Sequence, residues 1–179
     1  MMFVASTLIG FGQGFQPVCG FNYGAGLYKR VKKAFFFCLK VAFVALIALA
    51  IVAFIFAGDI VALFRGNDSI ALEIGTKAMR WQVAVIPLMS LVVMSNMMLQ
   101  TMGKTVSATL LAVSRQGLLF IPSVLILPLI FGIDGVQMAQ AVADTSAFLI
   151  AIPVTLKVLR ELSQDDFRKE HINTEQVSK

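Results

Sequence analysis

The sequence has few charged residues and almost none of the side chains from which enzyme active sites are built. Charged residues make up 14% of the 179 positions, against about a quarter in a typical soluble domain. His171 is the only histidine, and the two cysteines, Cys19 and Cys38, match no metal-binding or redox spacing. No serine–histidine–acid set and no phosphate-binding glycine loop is present either. We therefore expect no enzyme, no metal site and no cofactor.

Apolar residues dominate the chain instead. Hydrophobic residues form 58% of it, and the mean hydropathy is +0.84. A core built from so short a chain could not remove this much apolar surface from water, so membrane lipid must solvate part of it. The net charge of +5 does not indicate a nucleic-acid partner. The basic residues cluster at the ends of apolar runs, where membrane topology places them.

A helix needs about 20 apolar residues to cross a bilayer. Five runs approach this length, at about residues 2–21, 34–57, 81–99, 106–132 and 136–156. The first is the weakest, because it contains two glutamines, a proline and several glycines. We predict an all-α polytopic membrane protein with about five transmembrane helices in residues 1–160. A polar, flexible tail at residues 161–179 should follow.

The segment between the second and third runs is amphipathic. Residues 58–80 mix apolar and charged side chains, which predicts a short interfacial helix followed by a turn at Arg65–Asp68. Asp68 or Ser69 would then cap the next helix.

The basic residues predict the orientation of the helices. The loop after the first run carries a cluster of four, Lys29, Arg30, Lys32 and Lys33. Together with Lys104 and four basic residues early in the tail, this side carries nine, against three on the other side. The side with nine should be cytoplasmic, so the chain starts outside a cell membrane and its tail lies inside. An odd number of spans that starts outside predicts a missing upstream segment.

One stretch carries a specific pattern, GFGQGFQP at residues 10–17, which continues through GFNYGAG at 20–26. Its glycines at 10 and 14, and again at 20 and 24, have the spacing that permits close helix approach. Gln13 and Gln16 are three residues apart and share a helix face. Two amides are costly in lipid without partners, so we expect both to face a cavity or a neighbouring helix.

This stretch resembles the eighth helix and following cytoplasmic loop of the multidrug and toxic compound extrusion (MATE) transporters. Ser114–Gly117 with Pro122 and Pro128 resembles the eleventh helix of that family. Residues 132–136 with Gln140 and Asp144 resemble the entry to the twelfth, and residues 98–104 resemble the end of the tenth. The resemblance implies helices eight to twelve of the C-terminal six-helix lobe of a twelve-helix antiporter, whose N-terminal lobe would be a further partner.

The function implied by the resemblance is efflux of amphipathic or cationic compounds in exchange for protons or sodium. The alternative is a non-transporting fragment or partial gene product, because one lobe cannot enclose a central path. A lipid-linked precursor flippase ranks lower, because its cavity would need many basic groups for phosphates. One departure from the family concerns the tenth helix. Some branches place an ion-binding carboxylate there, and residues 81–102 contain none.

Charges at membrane depth are functional candidates. Asp144 lies eight residues past Val136, far from either interface, and a carboxylate buried there without a partner takes up a proton. Arg115 on the preceding run is the obvious partner. Counting helical rise from the two ends of the spans places the pair ~4 Å or ~13 Å apart in depth. A direct salt bridge and a link through Gln116 or Gln140 therefore both remain open.

Overall fold

The computed structural model describes the backbone of residues 2–65 and 69–177, and the side chains of residues 4–63 and 72–168. Every regular element in these ranges is a helix, which confirms the predicted all-α class. The α-helices are α1 (Met2–Gly24), α2 (Tyr28–Ile55), α3 (Ala57–Arg65), α4 (Ser69–Val85), α5 (Met89–Thr101), α6 (Thr105–Val113), α7 (Phe120–Phe131) and α8 (Ile133–Val177). A 3-10 turn, Ile86–Leu88, joins α4 to α5, and a π-helical segment, Ser114–Leu119, joins α6 to α7.

Within the described chain, four stretches are long and apolar enough to cross a membrane. They are Tyr28–Ile55, Leu72–Thr101, Thr105–Phe131 and Ile133–Arg168. These stretches overlap the second to fifth predicted runs. The first predicted run lies in α1, whose 23 residues give a length of ~35 Å, sufficient to cross a bilayer. Because of its polar residues, α1 is less apolar than the four stretches named above.

The entry to the third span differs from the sequence-based prediction. The short interfacial helix exists as α3, but α4 begins at Ser69 and continues without a break to Val85. The helix therefore starts well before Trp81, because Met79 packs against buried apolar side chains and ties the amphipathic part to the bundle. The predicted turn at residues 66–68 and the cap at Asp68 lie outside the described residues.

The prediction of a flexible tail after Arg160 is wrong for the described backbone. Helix α8 continues to Val177. Val158 and Leu162 lie one turn apart and belong to the buried core, so they hold this part of the helix against the bundle. The many charges of the segment concealed this apolar pair in the sequence.

Helix α5 lies at the centre of the bundle and packs against α1, α2, α6 and α8. Seven of its 13 residues are buried, which is typical of a helix surrounded by others. We call the end that carries the turns at residues 25–27 and 102–104 the basic end. The opposite end carries α3 and the turn at Gly132. One buried cluster, around Phe35 and Met98, lies toward the basic end, and another, around Leu46 and Val83, lies toward the opposite end.

Small residues allow α8 to approach its neighbours closely. Four alanines recur at every fourth position and are almost fully buried: Ala139, Ala143, Ala147 and Ala151. Small side chains at this spacing let the backbones of membrane helices come together. One turn further on, the Thr155 hydroxyl donates a buried hydrogen bond of 2.6 Å to Ser95 Oγ on α5. This stripe fixes the rotation of α8, and with it the direction in which Asp144 points.

Candidate functional site

The two charges predicted at membrane depth meet directly. Arg115 Nε donates to Asp144 Oδ1 at 2.9 Å, and the two side chains are 20% and 6% exposed. Gln140 Nε2 donates to the other carboxylate oxygen, Oδ2, at 3.1 Å from one turn earlier on α8. Asp144 lies 11 residues into α8, or ~16 Å from Ile133, about half the ~30 Å thickness of a bilayer core. The site is therefore a paired carboxylate well inside a helical stretch that is long and apolar enough to cross a membrane.

A change of helix type positions Arg115. The residue lies in the π-helical segment, where each turn is wider than in an α-helix. Pro122 follows this segment and cannot donate to the carbonyl of Leu118, and its ring would clash there in a regular α-helix. The widened turn relieves that clash. It also rotates Arg115 relative to a continuous α-helix, which a count of helical rise from the sequence does not include.

The facing span is irregular at the same depth. Pro87 lies in the 3-10 turn between α4 and α5, and Ser90 Oγ donates to its carbonyl at 2.7 Å. Ile86 and Met89 flank this turn and line a cavity beside Asp144. Changes of helix type within a span often mark functional positions or hinges. Pro17, Pro128 and Pro153 differ, because they lie within continuous α-helices.

Two cavities meet at Arg115. The upper cavity, of about 200 Å³, lies toward the opposite end of the bundle. Its lining residues are Val4, Ala5, Gln82, Ile86, Met89, Arg115, Gln140 and Asp144. The lower cavity, of about 240 Å³, lies toward the basic end. It is lined by Ile9, Val92, Val93, Asn96, Met97, Gln100, Leu111, Ala112, Arg115 and Gln116. The Arg115 side chain therefore forms part of both walls.

The other predicted glutamines have different surroundings. Gln116 lines the lower cavity but makes no described hydrogen bond to Asp144, so it does not mediate the pair. Gln16 Nε2 approaches Met97 Sδ on α5 at 3.2 Å, as expected for a side chain that faces a neighbouring helix. Gln13 is exposed and lines neither cavity. The predicted role of Gln13 stays a prediction.

The glycine pairs of α1 act only partly as predicted. A methyl group at Gly10 or Gly14 would meet nothing within 4 Å. Close contact occurs at Gly20, next to Thr101, as predicted, and at Gly12, next to Met97, which was not among the predicted glycines. Gly12 and Gly20 are eight residues apart and share the face of α1 that packs on α5.

Sequence reasoning missed several polar residues near the site. Gln82 lines the upper cavity, and Asn96 lines the lower one while it donates to the carbonyl of Ala108 at 2.9 Å. Gln137 is buried, and its Oε1 has no described partner. Uncharged amides within apolar runs give little signal in a hydropathy reading. The amphipathic spacing of Gln137, Gln140 and Asp144 was the clue available.

The basic residues that were predicted to form a loop lie instead in the first two turns of α2, which pack against α8 at the basic end. Lys29 Nζ lies 3.4 Å from Asp166 Oδ2, and Lys32 donates to Ser163 Oγ. Arg30 and Lys33 are exposed. From the next turn, Lys104 pairs with Glu161. All three basic segments therefore lie at one end of the bundle, as the distribution of charge predicted.

Comparison with known proteins identifies both family and fold. A family model described as MatE matches residues 1–126. Among solved structures, the chain is similar to a multidrug resistance MATE family transporter of the MOP superfamily in its inward-facing conformation, with 17% identity and a TM-score of 0.83. The outward-facing conformation of such a transporter gives 18% identity and 0.83. The chain is also similar to a MATE structure in complex with MaL6, with 18% identity and a TM-score of 0.84.

The similarity covers 91% of this chain in each case. It covers only 37–38% of the solved transporters, so the chain spans a little over a third of their length. No curated protein sequence matches the chain.

Proposed function

This chain belongs to the MatE family, and we propose that it forms part of a secondary transporter that exports amphipathic or cationic compounds by antiport. The transporter would combine this bundle with a second lobe and expose its cavity alternately to the two sides of the membrane. Similar TM-scores against an inward-facing and an outward-facing transporter support a lobe that moves as one body.

The observation that carries the proposal is the paired carboxylate well inside a stretch long and apolar enough to cross a membrane. Ionisable residues at this depth are costly and mark ion or substrate pathways. Asp144 is held by Arg115 from one side and Gln140 from the other. Asp144 lines the upper cavity, so a small ion in that cavity reaches the carboxylate directly. The lower cavity reaches only its partner, Arg115.

In the mechanism that we propose, protonation of Asp144 switches the pair. A proton on the carboxyl group removes the negative charge that holds the guanidinium of Arg115. The guanidinium then moves toward the lower cavity, whose wall it already forms, and the wall between the cavities changes shape. Loss of the proton restores the 2.9 Å contact. The π-helical segment gives Arg115 a local hinge for this movement.

The arrangement favours a proton over sodium as the coupling ion. Sodium would have to displace a guanidinium that is already bound to the carboxylate. A proton needs only one carboxylate oxygen and leaves the other available to Gln140.

We further propose that the basic end is cytoplasmic and that the protein lies in the cell membrane. The basic cluster at the start of α2, Lys104 and the basic residues of α8 share this end. An excess of basic residues is typical of cytoplasmic loops.

The test is Asp144→Asn in the two-lobe transporter. Asparagine keeps the shape and the hydrogen bonding to Gln140 but cannot titrate, so surface expression should persist while drug resistance and proton-driven efflux fall to near background. The matched control is Asp134→Asn, because Asp134 forms an exposed ion pair with Lys77 at the opposite end of the bundle. Near-wild-type efflux by a normally expressed Asp144→Asn protein would contradict the titrating role.

A further inference from the structure

The outer face of the bundle carries a second feature, a long groove between α2 and α4 at the opposite end. Two cavities form it. The larger, of about 630 Å³, lies beside the first turns of α4, and the smaller, of about 310 Å³, continues toward Pro87. Phe54 and Ala84 line both cavities, so the two are continuous. The groove does not include any residue of the Arg115–Asp144 site.

Polarity changes sharply along this groove. Its outer part is lined by Glu73, Thr76, Lys77, Arg80 and Trp81 together with apolar groups. Its inner part is lined only by apolar residues: Ile47, Ala50, Ile51, Phe54, Ile55, Val83, Ala84 and Pro87. A ligand that fits both parts has a polar end and a long apolar end. The polar end must lie at the membrane interface, the region that tryptophan and charged side chains such as those of the outer part favour.

Two of the three charged residues of the outer part, Arg80 and Glu73, are available to a ligand. Lys77 is engaged by Asp134 at 2.7 Å. Among residues 4–63 and 72–168, Arg80 has no carboxylate partner, and its guanidinium lies 5.4 Å from the centre of the Phe54 ring. Glu73 likewise makes no ion pair within those ranges. Among the residues whose side chains the structure describes, the groove therefore presents one cation and one anion without an ion-pair partner on the same face of α4.

The order of these charges matches one class of lipid. Glu73 lies two turns closer to the end of the bundle than Arg80, and Arg80 borders the apolar part. A phospholipid that ends in a primary ammonium has its phosphate near the acyl chains and its ammonium further out. We propose that the groove binds a phosphatidylethanolamine-type lipid, with its phosphate on Arg80, its ammonium on Glu73 and an acyl chain along Phe54 and Ala84.

Phosphatidylglycerol fits less well, because its uncharged glycerol would leave Glu73 unpaired and its net negative charge would face that carboxylate. Phosphatidylcholine also fits less well. Its quaternary ammonium has no N–H to donate to Glu73, although it shares the phosphate that would bind Arg80. The proposal thus assigns class recognition to Glu73 and general phospholipid affinity to Arg80.

The sequence offers a direct reporter, because Trp81 is its only tryptophan and lines the groove with 42% of its surface exposed. The full chain would be reconstituted in phosphatidylcholine vesicles. Increasing fractions of the lipid would then be replaced by brominated phosphatidylethanolamine, phosphatidylglycerol or phosphatidylcholine, each with bromine near the headgroup end of the acyl chain. Bromine quenches tryptophan fluorescence at short range, so the quenching curves give relative affinities at this groove.

Phosphatidylethanolamine should bind about three- to fivefold more tightly than phosphatidylcholine, as expected for exposed charge pairs. Glu73→Gln should abolish this preference and raise the relative affinity for phosphatidylglycerol. Arg80→Gln and Arg80→Lys should both leave the preference for phosphatidylethanolamine in place, because the phosphate that Arg80 binds is common to all three lipids and to the host lipid. Arg160→Gln, at an exposed position of the basic end, is the control and should behave as wild type. Circular dichroism would check that each variant is folded.

Equal affinity for the three lipids in the wild-type protein would overturn the proposal, as would a preference that survives Glu73→Gln. Tryptophan fluorescence that no brominated lipid quenches would mean that protein covers the groove, either a second copy or another segment. That result would also overturn it. A failure of this experiment leaves the Asp144→Asn test unaffected, because the two sites share no residue.

Discussion

The ion pair between Arg115 and Asp144 should stabilise the bundle far more than an ion pair of equal length at its surface. The two atoms are 2.9 Å apart, and the side chains are 20% and 6% exposed. Hydrogen bonds that involve charged groups contribute about 1.5–3 kcal/mol. Arg115→Gln and Asp144→Asn should therefore each lower the free energy of unfolding by about that amount, because each leaves a charge without its counter-charge.

The double variant Arg115→Gln/Asp144→Asn removes both charges and keeps two amides able to bond each other. The double variant should lose less free energy of unfolding than the sum of the losses of the two single variants. The difference, which is the coupling energy of the pair, should be at least about 1.5 kcal/mol. Neutral polar pairs between membrane helices couple by only about 0.6 kcal/mol on average. The measurement is reversible unfolding of the chain in mixed micelles by added dodecyl sulfate, followed by circular dichroism.

The chain contains a matched control for this cycle. Lys77 and Asp134 form a pair of 2.7 Å whose side chains are about half exposed. The corresponding cycle of Lys77→Gln and Asp134→Asn should give a coupling of only about 0.2–1 kcal/mol. If the two cycles gave the same coupling, burial of the Arg115–Asp144 pair would have no energetic consequence and the reasoning from its depth would be refuted.

Two further predictions concern packing and orientation. A methyl group at Gly135 would lie 2.2 Å from the carbonyl oxygen of Leu127, so Gly135→Ala should cost about 3 kcal/mol, the upper end for overpacking, in the same unfolding assay. Gly10→Ala, with nothing within 4 Å, should be nearly neutral, and equal losses would contradict the contact. In a cysteine-free background, a membrane-impermeant thiol reagent should label Ile133→Cys in intact cells but Lys33→Cys only after lysis. The reverse pattern would invert the proposed orientation.

The family was predictable from the sequence, because its markers are local. The glycine-rich stretch at residues 10–26 and the order of the later motifs indicated a MATE transporter, and the match of the family model to residues 1–126 confirms it. Four of the five predicted spans overlap helical stretches that are long and apolar enough to cross a membrane. Hydropathy is a sum over neighbouring residues, so it needs no tertiary information.

The sequence identified the charges of the candidate site but not their pairing. Asp144 and Arg115 stand out because each is a charge within an apolar run. Whether the two side chains touch depends first on the π-helical segment before Pro122, whose wider turn rotates Arg115. It depends also on the buried alanine stripe, which sets the rotation of α8 and so of Asp144. The rise per residue alone left two incompatible estimates of their separation.

The apolar segments that are long enough for membrane helices, and the charged residues within them, were readable from the sequence alone. Only the tertiary structure decided that Gly12 rather than Gly10 contacts α5, that α8 continues as a helix past Arg160, and that Gln140 rather than Gln116 bonds Asp144. Each of these outcomes depends on the rotation of one helix against another. Packing sets that rotation through contacts between residues far apart in the chain, and no local property of the sequence specifies it.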